Sequence, residues 1–237
     1  MKLTVKKSSF VDNILVPASK LSDNLSLKVK EGKVGTLVTS GDNSIILQTA
    51  VACEADSDAP CIIPDCKAFL RLFSSIGEED ATLNVEENLI SHKSKNFSFK
   101  YHLLDENYFG TKKSISEDKL DQLSFDTEFN VTKQKFTEIL KYNSIIPDAE
   151  KLYFVTQGGG VVAKLGDEQK CNTNEIVTEV SSSFVGSSLE ESIPVNIQNI
   201  LLLSFSSDMI KVSINHKLKI FKLETSTTKY IISGLVK

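Results

Sequence analysis

The side chains that most often carry out catalysis are few in this sequence, and they lie far apart. The histidines His92, His102 and His216 have no partner at a spacing typical of metal ligands or of a nucleophile–base pair. The sequence contains no His-Glu-x-x-His, Gly-x-Ser-x-Gly or phosphate-loop motif. We therefore predict that the protein is not an enzyme and has no catalytic residue, metal or cofactor. An enzyme whose site residues are dispersed along the chain is the alternative.

Two other patterns could bind phosphates or cations. Gly158-Gly159-Gly160 lies between two predicted strands, without a helix start or a Lys-Ser/Thr pair behind it. A hairpin tip is therefore favoured over a phosphate cradle. The acidic stretches Glu78-Glu79-Asp80 and Asp56-Ser57-Asp58 could hold a cation, although solvated loop charge is the more ordinary interpretation.

The length of 237 residues allows one large domain or two ordinary ones. A hydrophobic content of 41% and a charged content of 24% are typical of a soluble globular protein. The net charge of −4 means that any contact with nucleic acid depends on local basic patches or on topology. No segment has the roughly 18 apolar residues that a membrane span needs.

Four cysteines show neither Cys-x2-Cys spacing nor a dense disulfide framework. They are Cys53, Cys61, Cys66 and Cys171. We expect reduced thiols and a cytoplasmic location, without a membrane partner.

One pattern occurs four times: an apolar pair is followed, five positions later, by a large apolar residue that opens a helical run. The copies are Leu3-x-Val5-x4-Phe10, Ile62-x-Pro64-x4-Phe69, Phe129-x-Val131-x4-Phe136 and Ile193-x-Val195-x4-Ile200. Paired alternating strands follow each helix, so the sequence predicts a repeated unit of about 60 residues. We expect Pro17 to close the first helix early and the fourth helix to run from about Asn196 to Phe205.

The polar stretch 105–124 interrupts this repetition and is the best candidate for an interdomain connector. The predicted organisation is domain 1 at 1–104, the connector at 105–124 and domain 2 at 125–237. Because the strands are joined by short turns, the pairing should be mostly antiparallel and the fold class α+β.

Basic residues collect on the outward faces of the predicted helices. Lys67 and Arg71 share a face, and each lies about 200° around the helix from Phe69. Lys141 points away from the core in the third repeat, Lys133 and Lys135 lie near the start of that helix, and Lys20 ends the first. These residues could face a phosphate backbone, or they are ordinary solvated helix lysines.

Acidic and neutral residues weaken the nucleic-acid interpretation. Asp12 and Glu138 lie on outward faces, and the fourth repeat has Asn196, Gln198 and Asn199 in place of basic residues.

The fourfold unit, the connector and the stretches Ala68-Phe69-Leu70-Arg71-Leu72-Phe73 and Thr228-Lys229-Tyr230-Ile231-Ile232 resemble the sliding DNA clamps. The chain looks most similar to the two-domain type, which includes the proliferating-cell nuclear antigens and the clamps of tailed phages. The resemblance implies two domains, each with a duplicated βαβββ unit, and six domains in a homotrimeric ring. Helices would line the hole and antiparallel sheets would form the outer wall.

The resemblance also implies sites. Lys67, Arg71 and Lys141 match DNA-facing positions best, and Lys20, Lys133 and Lys135 match less securely. Subunits would pair through strands at 96–103 and 176–183, although these strands could equally be internal. The interface residues would be Phe97, Phe99, Tyr101, Val177 and Glu179.

A hydrophobic pocket for partner peptides would lie beneath the connector, although each of its residues could equally be core. The matching residues are Ile45, Leu120, Leu123, Ile232 and Leu235. The implied partners are double-stranded DNA, a DNA polymerase and an ATP-dependent clamp loader. A phage origin would add viral DNA replication in the host cytoplasm and a role in late transcription. The alternative function is a β-rich viral structural or interaction protein.

Overall fold

The computed structural model describes residues 1–105, 117–167, 174–189 and 192–235. The chain divides into two compact units, Met1–Gln122 and Leu123–Lys237. Most of the predicted connector, and Cys171, lie outside the described residues, so the domain limits given above stay predictions. Cys53, Cys61 and Cys66 are free thiols.

Unit 1 contains eight antiparallel strands and short helices. The strands are β1 Lys2–Lys6, β2 Leu25–Lys30, β3 Lys33–Thr39, β4 Ile45–Ala55, β5 Pro60–Ile63, β6 Asp80–Glu86, β7 Leu89–Lys93 and β8 Ser98–His102. The helices are α1 Lys7–Phe10, α2 Val16–Leu21, α3 Cys66–Ser74 and α4 Glu117–Asp121, with a π-helical turn Val11–Leu15 between α1 and α2. The strand order is β5-β2-β3-β4-β1-β6-β7-β8, in which the long β4 pairs with β3 and then with β1.

Unit 2 repeats this plan. Its strands are β9 Thr127–Thr132, β10 Lys151–Gln157, β11 Gly160–Gly166, β12 Ile176–Ser181, β13 Val185–Gly186, β14 Ile193–Asn196, β15 Met209–Asn215, β16 Ile220–Glu224 and β17 Thr228–Ser233. Its helices are α5 Lys133–Tyr142 and α6 Ile197–Leu201. One sheet has the order β12-β11-β10-β14 and the other β13-β9-β15-β16-β17, all antiparallel. The α+β class is therefore confirmed.

The two halves of each unit exchange their first strands. In unit 1, β1 pairs with β6 of the second half, and β5 pairs with β2 of the first half. In unit 2, β9 pairs with β15 and β14 with β10 in the same way. Neither half of a unit can complete its sheet alone, so each unit must fold as a whole.

The fourfold pattern in the sequence corresponds to four strand–helix units. The apolar pairs begin in β1, β5, β9 and β14, and the residue that follows each pair lies on a helix and is buried: Phe10, Phe69, Phe136 and Ile200. Burying one such side chain stabilises the fold by about 1.5–3 kcal/mol, so these residues hold the helices against the sheets. None of the helices in the described ranges is long and apolar enough to cross a membrane.

The prediction that Pro17 closes the first helix is wrong. The chain stays helical to Leu21 because the π-helical turn precedes Pro17, and there the Val16 N–H donates to the Val11 carbonyl five residues back. This wider turn changes the hydrogen-bond register, and Pro17 falls in the first turn of α2, where its missing N–H costs little.

The fourth helix is shorter than the sequence predicts, since α6 ends at Leu201 and not near Phe205. Beyond it, Ser204 turns to the buried Tyr230. The Tyr230 hydroxyl donates to the Ser204 carbonyl and accepts from the Ser204 N–H, each at 3.1 Å. These bonds replace the helical bonds that Ser204 would otherwise make. Burial raises the pKa of Tyr230 to about 12.

We expect Tyr230→Phe to lower the free energy of unfolding of unit 2 by about 1–3 kcal/mol, because both backbone groups of Ser204 lose their partner. The folded-state pKa of Tyr230 lies above the unfolded value, so its contribution is complete below about pH 10 and fades as the pH rises towards about 12. Urea titrations of the wild type and the variant at pH 7, 10 and 11.5 measure this difference in unfolding free energy. Tyr142→Phe is the control, because that hydroxyl bonds a carboxylate outside the core. Equal effects of the two substitutions would contradict the assigned role of Tyr230.

Candidate nucleic-acid interface

Helix α3 presents two basic side chains opposite its buried face. The Asp65 carboxylate caps the helix by accepting from the Ala68 N–H at 2.8 Å. Phe69 and Phe73 are completely buried, and their ring centroids lie 6.0 Å apart. Because Lys67 and Arg71 occupy the other side of the helix, both are exposed, as their spacing predicts.

The charges on this face are only weakly neutralised. The Lys67 ammonium lies 3.4 Å from Asp23, but the two side chains are 61% and 86% exposed. An ion pair this exposed contributes little and competes poorly with a phosphate. Lys20 lies in the last turn of α2, which packs beside α3, and its side chain is exposed. Neighbouring atoms nevertheless desolvate its ammonium in part, which lowers the pKa of Lys20.

Helix α5 carries three lysines, but one of them is paired. Thr132 caps the helix by accepting from the Lys135 N–H at 3.1 Å. The Lys135 ammonium lies 3.1 Å from Glu138, and Tyr142 donates a hydrogen bond to the same carboxylate. The Tyr142 hydroxyl and then Lys135 lower the pKa of Glu138, so the carboxylate stays charged and offsets Lys135. Lys133 and Lys141 are exposed.

Helix α6 has no basic residue. Asn196 caps it by accepting from the Gln198 N–H at 2.9 Å, and its exposed surface is neutral and polar. The exposed basic side chains on the described helices of the repeats thus lie on α2, α3 and α5. Long exposed cations of this kind make weak, sequence-independent contacts with phosphates.

The two strands predicted to join subunits lie at sheet edges. In the described part of the chain, β8 pairs along its length only with β7, and β12 only with β11. Val177 and Glu179 on β12 are exposed, and Phe97 before β8 is half-buried. The role of these strands in an interface stays a prediction.

Two of the predicted interface side chains turn inward instead. Phe99 is buried and its ring lies 6.4 Å from that of Phe69. The Tyr101 ring lies 5.2 Å from Phe69, and its hydroxyl donates to the Asp65 carbonyl at 2.9 Å. Both side chains thus support α3 within unit 1.

The structure does not support the predicted pocket residues equally. Ile45 and Ile232 are 0% exposed, so they belong to the core and their assignment to an open pocket is wrong. Leu120 is also buried, whereas Leu123 and Leu235 are half-buried. Apolar residues beside a polar stretch can belong to either class, and the sequence does not reveal their burial.

Sequence reasoning missed the residues that position the basic face. Asp65 directly precedes the helical run, which is the usual signal of an N-cap. The pairing of Lys135 with Glu138 also has a signal, the three-residue spacing on one helix. The contact of Tyr101 with Asp65 has no signal in the sequence, because 36 residues separate the two.

No protein-family model matches the sequence, and no curated protein matches it. Solved structures do match the fold. The proliferating-cell nuclear antigen of A. fulgidus, bound to the C-terminal region of FEN-1, superposes with a TM-score of 0.79 at 12% identity, covering 100% of this chain and 98% of the other. In the PCNA2–PCNA3 complex of Sulfolobus tokodaii the TM-score is 0.74 at 13% identity, and 99% of each chain is covered.

A bacterial clamp subunit matches over part of its length. The DNA polymerase III subunit beta of Pseudomonas aeruginosa has a TM-score of 0.77 at 13% identity over 100% of this chain and 66% of that one. This chain thus spans about two thirds of the P. aeruginosa subunit and nearly the whole of the A. fulgidus and S. tokodaii chains.

We expect Asp65→Ala to destabilise unit 1 by about 1 kcal/mol, because α3 loses its N-cap. Asp65→Asn should keep most of the wild-type stability, since asparagine caps helices almost as well as aspartate does. Asp23→Ala is the control and should change the unfolding free energy by less than about 0.5 kcal/mol. Denaturant titrations measure all three. A loss in Asp65→Asn as large as in Asp65→Ala would mean that capping is not the role of this residue.

The fold of this chain, over its full length, is that of the sliding DNA clamps.

Proposed function

We propose that this protein is a sliding clamp that encircles duplex DNA and tethers a DNA polymerase, without catalysing a reaction itself. The observation that carries the proposal is the full-length match to clamps of the same length. The exposed basic residues on α2, α3 and α5 add independent support, because they suit non-specific contact with phosphates.

The physical requirements of sliding agree with this surface. A protein that moves along DNA needs weak, delocalised contacts, because bonds to base edges would hold it at one sequence. Topological enclosure then prevents dissociation, so the contacts need not be strong. The net charge of −4 discourages DNA from binding elsewhere on the surface.

The proposed assembly is a homotrimer. Because this chain contains two compact units, a ring of six such units would need three chains. The free edges of β8 and β12 offer backbone donors and acceptors to a neighbouring chain, and pairing them would remove an aggregation hazard.

Peptides from partner proteins are the proposed route of recruitment. One similar clamp is bound to the C-terminal region of FEN-1 and another, from Helicobacter pylori, to a DNA ligase peptide. In this chain the half-buried Leu123 and Leu235 are candidates for such contacts. A polymerase, an ATP-dependent loader, a phage origin with replication in the host cytoplasm, and a part in late transcription are further elements of the proposal.

We expect the double substitution Lys67→Glu/Arg71→Glu to reduce retention on DNA at least about tenfold, because each exchange replaces attraction to phosphate by repulsion. The protein is threaded over the free end of a bead-tethered duplex, the end is blocked, and the bound fraction is followed by fluorescence. Lys28→Glu/Lys30→Glu on β2 makes the same change of charge and is the matched control.

The same assay tests enclosure. Wild-type protein should stay on end-blocked duplexes and leave open-ended ones. Equal lifetimes on end-blocked and open-ended duplexes would contradict the clamp proposal and favour a β-rich structural or interaction protein. Equal retention of both double variants would remove Lys67 and Arg71 from the DNA-facing surface.

We expect light scattering at micromolar concentration to give three times the chain mass of 26.2 kDa. Val177→Asp, a change to an exposed residue of the β12 edge, should shift the population towards monomer. Val185→Asp, at an exposed site on β13, is the control for the added charge. A wild-type monomer at both low and high salt would contradict the trimer.

A further inference from the structure

One buried histidine in unit 1 is not explained by the proposed function. His92 lies on β7 and is only 5% exposed. Its ring centroid lies 6.3 Å from that of Phe97, which precedes β8, and 5.9 Å from that of Phe99 on β8. An imidazole in such an apolar setting needs a partner for each of its nitrogens.

The partner of one nitrogen fixes the protonation pattern. Nδ1 of His92 lies 2.8 Å from the carbonyl oxygen of Thr82, which can only accept a hydrogen bond. Nδ1 therefore carries the proton, and Nε2 of the neutral ring presents a lone pair. Histidines that bind metals are commonly held in this way, by a hydrogen bond from the other ring nitrogen.

The lone pair of Nε2 faces a carboxylate. Nε2 is buried and has no hydrogen-bond partner among the described residues, and the nearest acidic atom is Oε2 of Glu78 at 4.0 Å. Two acceptors thus face each other, at a separation too long for a hydrogen bond. A cation between them would satisfy both.

The separation is nearer to that of a bridging metal ion than to that of a shared proton. A proton shared by nitrogen and oxygen would require them to approach to about 2.8 Å. With bonds of about 2.0–2.2 Å, a tetrahedral zinc ion holds two ligand atoms about 3.3–3.5 Å apart, so the Glu78 carboxylate must move towards His92 by roughly 0.6 Å to bind. The Glu78 side chain is 50% exposed, so it can make this movement, and water can reach the ion from its side.

We propose that His92 Nε2 and the Glu78 carboxylate form a site for a divalent borderline cation of the zinc class. The acidic stretch Glu78-Glu79-Asp80 supplies a negative potential around it, although Glu79 itself is held by Ser8. The Lys7 ammonium donates to the Ile76 carbonyl, two residues before Glu78. Within the described ranges no three His, Cys, Asp or Glu side chains converge, so water must complete the coordination and the ion should exchange readily.

The site would link a loop of unit 1 to a strand of its sheet. Glu78 lies in the loop between α3 and β6, and His92 lies on β7 beside the edge strand β8. A bound ion would fasten the loop to the sheet next to that edge. Occupancy would therefore stiffen the strand through which the proposed ring closes.

Isothermal titration of the full chain with zinc chloride at pH 7.5, under a non-chelating reductant, tests the site. We expect one binding event that weakens at least about tenfold in Glu78→Gln and in His92→Phe. Glu79→Gln is the matched control, because it removes the same charge from the adjacent residue, and it should bind as the wild type does. A second binding event, if zinc also bound elsewhere, would be the same in all variants and would cancel in the comparison.

Nuclear magnetic resonance of the histidine ring protons provides the second readout. Zinc should shift the His92 signals in the wild type and in Glu79→Gln but not in Glu78→Gln, which keeps the test decisive if His92→Phe fails to fold. Unchanged binding in Glu78→Gln, or His92 signals that respond to pH but not to zinc, would overturn the proposal.

Discussion

The exchange of first strands within each unit is the constraint on which the rest of the structure depends. Because β1 completes the sheet of the second half and β5 that of the first, the two halves of unit 1 cannot separate without breaking both ladders. The helix after each exchanged strand is placed by that strand. As a result α2 packs beside α3, and α5 beside α6 in the other unit. The side-by-side helices then share one surface of their unit, and this surface carries the basic residues.

The aromatic core determines which helix residues can meet a ligand. Phe10 and Phe73 pack edge to face at 5.0 Å, and Phe69 contacts both Phe99 and Tyr101. Since α3 has one deeply buried stripe, its opposite stripe must be solvated, and that is where Lys67 and Arg71 lie. In α5 the buried stripe likewise leaves lysines exposed on the opposite side, but the Glu138 carboxylate offsets the charge of Lys135. The helices of the two units therefore offer unequal positive charge.

Residues predicted for one role often serve another because burial is a tertiary property. Ile45 and Ile232 are apolar and flank polar stretches, as pocket residues would, yet they are core. Phe99 and Tyr101 alternate as residues of an edge strand do, but they brace α3. Pro17 illustrates the same limit for the backbone, since a π-helical turn lets the chain stay helical past a residue that usually ends a helix. In each case the local pattern is compatible with two structures, and long-range packing selects one.

The fourfold unit, the α+β class and the outward position of the basic residues could all be predicted from the sequence. Those features depend on periodicity, and the period of an apolar pattern is a local property of the chain. Three features depend on long-range packing: the exchange of strands between halves, the bonds of Tyr230 with Ser204, and the burial of His92 opposite Glu78. The residues that meet in these contacts are 14 to more than 70 positions apart in the sequence. A local sequence pattern does not indicate which distant groups will come into contact.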